Sequence, residues 1–222
     1  MNIQLLLFAK APAPGRVKTR LCPPATGRQA AAIAAAALAD TIDVLDTTPA
    51  IRRTIVLSGR YPAPAGWHTV TQRGNGLAQR LVHAYADTAL PDTATLLLGM
   101  DTPQVTAALL ATAVQALHDG ADAVLGPAHD GGWWTLGLPH PAHAAVLGGV
   151  PMSTPDTGRH TLAALAGLGL TVTLLPALRD VDTVADAHAV AAQCPDSRFA
   201  AAVRAHLPTP DPAAAPTEPG PR

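Results

Sequence analysis

Short apolar runs alternate with longer stretches of helical periodicity along almost the whole chain. The runs are Ile3–Ala9, Thr54–Ser58, Trp67–Gln72, Ala94–Gly99, Ala123–Gly126, Trp133–Leu138 and Thr171–Leu175. Each is bounded by Gly, Pro or charge, and most are too continuously apolar for a strand with one wet face. They predict strands of a sheet covered on both sides. Between them, Thr26–Leu45, Leu77–Leu90, Thr106–His118 and Thr157–Leu168 carry apolar residues at helical spacing. Leu77, Leu81, Ala84, Tyr85 and Thr88 form one such stripe, with Arg80, His83 and Asp87 off it. Thr106 and Thr183 stand where N-caps are needed, and Gly120 and Gly169 stand where helices should stop. This β-α-β-α order predicts an α/β protein with a mainly parallel, doubly wound sheet. In such sheets ligands gather outside the carboxyl ends of the strands, so the loops following those ends are where chemistry is expected.

The 222 residues fit one domain of this kind, because chains usually divide only beyond roughly 250 residues. The domain is expected at 1–207, followed by a disordered Pro/Ala-rich tail at 208–222. Hydrophobic residues make up 48%, but much of that share is alanine. The core must therefore rest on Leu, Val and Ile, with small helical residues packed on the sheet. A net charge of −1 gives no general pull toward nucleic acid or anionic lipid, so any anion site must be local. Cys22 and Cys194 match no zinc spacing and are expected to be reduced and incidental. The apolar start of the chain has no basic residue before it and reads as a buried first strand rather than a leader. No run approaches the roughly 20 apolar residues that span a bilayer. The expectation is a cytoplasmic protein with no nucleic-acid or membrane partner.

Four loops carry the candidate chemistry. The first, Lys10-Ala-Pro-Ala-Pro-Gly-Arg-Val-Lys-Thr-Arg-Leu21, holds Lys10, Arg16, Lys18 and Arg20, with no acidic residue before Asp40. The only two lysines of the chain, Lys10 and Lys18, are both here. In a chain that otherwise relies on arginine, that placement points to the compact charge that phosphate oxygens accept. Pro12, Pro14 and Gly15 bend the loop so that its N–H groups can face an anion. The loop lacks the glycines of a Walker A sequence, and Gly74-Asn-Gly76 lacks the third glycine of a dinucleotide fingerprint, so P-loop and Rossmann readings are set aside.

The second loop ends the apolar run Leu96-Leu-Leu-Gly-Met-Asp-Thr-Pro103 on Asp101, suited either to a hard cation beside a diphosphate or to a tight turn. In the third, Gly126-Pro-Ala-His-Asp-Gly-Gly-Trp-Trp134, two glycines after Asp130 allow close approach of a ligand. A hairpin turn with an exposed Asp130 fits the same residues. Trp133 and Trp134 must point to opposite sides of a strand, one toward a base or sugar and one into the core. The fourth, Asp180-Val-Asp-Thr-Val-Ala-Asp186, runs into a helix capped by Thr183. There Asp182 can reach a metal on Asp101, while Asp180 or Asp186 can serve the helix terminus.

Taken in order, Phe8–Leu21, Gly99-Met-Asp-Thr-Pro103, Gly126–Gly132, Ser153-Thr154 and Asp180-Val-Asp-Thr183 resemble the bacterial GT-A-like transferases known as radical-SAM/selenodomain-associated transferase 1. Some of those are known as arsenosugar-biosynthesis glycosyltransferases. The family is similar in turn to phospholactate guanylyltransferases and molybdenum cofactor nucleotidyltransferases. The resemblance implies a nucleotide-diphospho-sugar transferase fold and nucleotide binding by Ala9, Lys10, Gly15, Lys18, Thr19, Arg20, Gln72 and Arg80. It implies Mg2+ (or Mn2+) on Asp101 and Asp182, and a small acceptor near Asp130, Gly131, Gly132, Trp133, Ser153 and Thr154. The chain departs from the family pattern at Trp133 and Trp134, where tyrosines are usual, and at Met152, where a tryptophan is usual. It departs again in Leu77-Ala-Gln-Arg80 and in Asp182-Thr-Val-Ala-Asp186.

Two chemistries use these residues. One is glycosyl transfer from a nucleotide sugar, with Asp130 as base and Lys18 neutralising the leaving diphosphate. The other is nucleotidyl transfer from a nucleoside triphosphate to a phosphorylated small molecule. A non-catalytic nucleotide-binding module would need no metal carboxylate, and Asp101 with Asp130 argues against it. The stretch Gly120–Pro151 contains no Lys or Arg, which favours a neutral hydroxylated acceptor and hence the first chemistry.

Overall fold

All seven apolar runs are strands of one sheet: β1 (Asn2–Lys10), β2 (Arg52–Ser58), β3 (His68–Thr71), β4 (Thr93–Gly99), β5 (Ala123–Pro127), β6 (Trp133–Leu138) and β7 (Val172–Leu174). The computed structural model describes residues 1–209. The tail expected from Pro208 lies outside the described residues from position 210 onward. The strand order is β3-β2-β1-β4-β6-β5-β7. Pairing is parallel throughout except at β6, which runs antiparallel to both β4 and β5. The alternation read from the sequence therefore breaks at one place. The connection from Ala128 to Gly132 is far too short for a helical crossover, which needs about a dozen residues, so β5 and β6 form a hairpin.

The helices are α1 (Gly27–Thr47), α2 (Gly76–Thr88), α3 (Ala107–His118), α4 (Thr157–Ala166), α5 (Val184–Gln193) and α6 (Arg198–His206). Their ends follow from local chemistry. Thr26 and Gln29 close a capping box on α1, Thr183 and Asp186 close another on α5, and Thr106 and Ser197 cap α3 and α6. Gly120 and Gly169, at φ 96° and 77°, end α3 and α4. Each turns the chain so that the next residue bonds back into the helix, Ala121 N–H to Ala116 and Leu170 N–H to Leu165.

The alternating side chains of β1 explain the layers. Ile3, Leu5, Leu7 and Ala9 face α1 and α3 in one cluster, while Leu6 faces α2 and the 3-10 segment Pro141–Gly149 in another. Alpha-1 is buried on two sides. Ala34, Leu38 and Ile42 lie on the sheet, and Ala30, Ile33 and Ala37 lie under α5 and α6 with Phe199 and Val203. Its many alanines let a third layer approach. No helix among the described residues is long and apolar enough to cross a membrane.

The chain leaves β1 outward to β2 and β3, then returns through α2 to β4 on the other side of β1. This reversal opens a crevice at the carboxyl ends of β1 and β4, at Lys10 and Gly99. One residue of the α2 stripe departs from expectation: Leu81, Ala84, Tyr85 and Thr88 are buried, but Leu77 is 40% exposed. It sits in the first turn of α2, beyond the sheet, and lines the crevice instead.

Candidate active site

The loop after β1 is pinned by Val17 and Leu21, both buried, on either side of the cations between them. Lys18 holds a left-handed backbone at φ 47°, and Thr19–Leu21 follow as one 3-10 turn. The result is a cleft of two adjoining chambers. One, of about 520 Å3, is lined by Phe8, Leu77, Leu81, Trp133 and Met152 together with Ala9, Ser58, Gln72 and Arg80. The other, of about 540 Å3, is lined by Lys10, Arg16, Lys18, Thr19 and Arg20. Lys10, Met100, Asp101, Asp130, Ser153, Thr154 and Asp182 border both. Thus most expected site residues meet in one place. Gly15 lines neither chamber and packs beside Gly27 at the start of α1.

Charge pairing runs along the shared wall. The Lys18 ammonium contacts the Asp101 carboxylate and donates to the Val181 carbonyl, and it lies 3.8 Å from Asp182 Oδ1. Arg20 donates to Asp182 Oδ2 at 3.0 Å. Two carboxylates and a carbonyl thus converge on one cation, and the ammonium stands in for any ion that these oxygens would hold. The donor set is all oxygen, which suits a hard dication. Among the described residues no three His, Cys, Asp or Glu side chains group as metal ligands. A metal here would take two carboxylates and complete its shell from water and phosphate, which is the usual habit of magnesium.

Asp180 is the residue that the sequence reading left out of the site. Val181 between it and Asp182 is buried in the core, and both flanking aspartates line the cleft. Its Oδ1 is buried without a hydrogen-bond partner. Burial, and next the carboxylates of Asp101 and Asp130, push Asp180 up to about 7. The sequence signal is the Asp-x-Asp spacing around an apolar residue. Asp186 by contrast serves α5, bonded to Thr183 and at 2.9 Å to Arg179.

That shift has a measurable consequence. With the folded value raised from 3.8 to about 7, the proton favours the folded state, and this stability is lost as pH rises through the folded value. In metal-free buffer at pH 8, Asp180→Asn is expected to be more stable than the parent by roughly 2–4 kcal/mol, and at pH 4 the two should nearly coincide. Thermal melts across pH check this. A difference independent of pH would show that Asp180 is not held protonated.

The loop carrying Asp130 is the turn of the β5–β6 hairpin, and Asp130 is exposed there, yet it also borders both chambers. The Gly132 N–H donates to its Oδ1 at 2.8 Å. Gly132 lines the apolar chamber, whereas Gly131 faces away, against Pro155 and the Gly158 N–H that it accepts at 2.7 Å. The tryptophans divide as alternation requires. Trp134 is 1% exposed and lies over Gly126, where a Cβ would overlap its ring. Trp133 is half-buried on the cleft and donates to Thr161 at 3.2 Å. Gln72 donates through Nε2 to Ala9 and Val56 carbonyls at 2.9 and 3.0 Å, which leaves Oε1 as an acceptor.

The family model described as "Uncharacterized protein conserved in bacteria (DUF2064)" matches residues 28–154. No curated protein matches the sequence. Among solved structures, a candidate nucleotide-diphospho-sugar transferase from Desulfovibrio desulfuricans G20 is similar at 27% identity and TM-score 0.79, over 92% of this chain and 95% of that one. Rv0371c of Mycobacterium tuberculosis H37Rv, in complex with manganese, shares the fold at TM-score 0.57 and 19% identity, over 86% and 97% of the two chains. CMP:2-keto-3-deoxy-manno-octonic acid synthetase complexed with CTP does so at TM-score 0.55 and 12% identity, over 88% and 99%.

Proposed function

The chain belongs to the DUF2064 family, and from its cleft we propose that it is a metal-dependent transferase using a nucleotide-activated donor, a glycosyltransferase for a small hydroxylated acceptor. The base and ribose lie along Ala9, Gln72 and Arg80, and the diphosphate lies against Lys10, Lys18, Thr19 and Arg20. The acceptor meets Trp133, Asp130, Gly132, Ser153 and Thr154. Asp130 takes the proton of the attacking hydroxyl as the new bond to the anomeric carbon forms and the bond to the diphosphate oxygen breaks. Lys18 and Arg20 neutralise the charge that grows on that oxygen. Mg2+ or Mn2+ held by Asp101 and Asp182 would add electrostatic stabilisation of the same leaving group. The description of the Desulfovibrio protein and the manganese bound to Rv0371c agree with this reading.

One observation carries the choice of acceptor. The apolar chamber presents a tryptophan and a carboxylate, and its lining includes two cations, Lys10 on the wall shared with the basic chamber and Arg80. Arg159 is instead paired with Asp156 at 3.1 Å, outside the lining. An aromatic face with a nearby acceptor oxygen suits a hydroxylated, uncharged molecule. Arg80 favours the second reading, nucleotidyl transfer to a phosphorylated small molecule, since it offers one phosphate contact. The chemistry is tested by mass spectrometry of the protein incubated separately with nucleotide sugars and with nucleoside triphosphates, each with mixed acceptors. Nucleoside diphosphate with a glycosylated product is expected. Pyrophosphate with a nucleotidylated product selects the second reading.

Under either reading, Lys18→Ala should weaken binding of a di- or triphosphate by roughly 1.5–3 kcal/mol more than binding of the bare nucleoside. Calorimetry with both ligands measures the difference. Equal losses would mean that Lys18 does not touch phosphate.

A further inference from the structure

Lys18 lies where the metal is wanted. Its ammonium contacts Asp101 and Val181 and approaches Asp182, and its side chain is only 8% exposed. The left-handed backbone at Lys18 is one that a residue other than glycine keeps only when its surroundings hold it, and Val17 and Leu21, buried on either side, do so. Arg20 is different. It reaches only Asp182 and is 73% exposed, so its pairing is loose. An ammonium and a dication exclude one another here, because both need the same oxygens and like charges this close repel strongly. Lys18 also borders the basic chamber, where phosphate oxygens offer its ammonium an alternative anion without release to solvent.

We infer that Lys18 is a tethered placeholder cation, which holds the Asp101–Asp182 metal position and gives it up when donor phosphates arrive, so that metal and donor enter together. This rests on the proposed metal-dependent transfer and adds an order of binding to it. The placeholder keeps two cleft carboxylates compensated, and it makes metal binding without donor weak.

The test uses Mn2+ alone on the full chain, followed by the paramagnetic resonance signal of free Mn2+ and by the Mn2+-induced rise in melting temperature. Lys18→Met keeps most of the stem and removes the charge, and Lys18→Gln provides a second neutral variant. Both are expected to bind Mn2+ about 10-fold or more tightly than the parent and to show the larger thermal rise. Adding Asp101→Asn to Lys18→Met should remove the gain. Binding by both neutral variants that is equal to or weaker than that of the parent overturns the inference. If Asp101→Asn then still abolishes Mn2+ binding, the metal site stands and only the role of Lys18 falls. If none of these proteins binds Mn2+, the metal-dependent reading falls with it.

Discussion

Asp101→Asn is expected to leave the fold standing while reducing transfer by about 100-fold or more, the scale seen when one preorganised charge-stabilising group is removed. The side chain is 45% exposed at the mouth of the cleft, so no packing depends on it. The backbone bond that ties this strand end to the fourth loop, Val181 N–H to the Asp101 carbonyl at 2.9 Å, is untouched by the change. A neutral amide is a poor ligand for a hard dication and a poor partner for Lys18, so both cations of the proposed site lose their main anchor. Melting temperature, turnover and a calorimetric titration of the preferred nucleotide with and without magnesium check this together. Unchanged magnesium-dependent affinity would remove Asp101 from the metal position.

Gly131→Ala is expected to be the most damaging small substitution in the chain. Gly131 sits at φ 87°, and an added Cβ would overlap the carbonyl oxygen of Pro155, which is backbone and has no rotamer to yield. The strained conformation and the clash together should cost roughly 3 kcal/mol or more. Activity should fall further than stability, because relief requires the hairpin turn to lift from the segment 153–158, taking Asp130 and Trp133 away from Ser153 and Thr154. Gly149→Ala is the control, since open space surrounds that position. Thermal melts and turnover of the two variants measure the contrast. A Gly131→Ala protein that melts and turns over like the parent would show that the turn is not pinned on Pro155.

Much of the scaffold could be read locally. Seven apolar runs, the threonine caps at 106 and 183 and the glycine stops at 120 and 169 all depend on residues within a few positions of one another. Short-range sterics and hydrogen bonding decide them. The lysines and the proline bends of the first loop, and the aspartate at the end of an apolar strand, are likewise features of contiguous sequence. Alpha-6 had no comparable signal: in Arg198–His206 only Phe199, Ala200 and Val203 are buried, against α1 and α5, and nine residues are too few for a periodicity to stand out.

What tertiary structure alone decided is which of the local possibilities faced which neighbour. A hairpin at 127–133 was open to the sequence, but the insertion of β6 between β4 and β5 depends on pairing with β4, which lies more than thirty positions away. Leu77 belongs to an apolar stripe, yet the sheet ends before reaching it. Asp180 and Asp186 are equal candidates for serving a helix when only spacing is known. Burial of Val181 turns Asp180 into the cleft, and Arg179 and Thr183 claim Asp186. Gly131 and Gly132 look interchangeable in sequence until Pro155 closes on the first. Local interactions determined the elements and the chemistry they can carry, whereas burial and charge from distant segments determined where each side chain was spent.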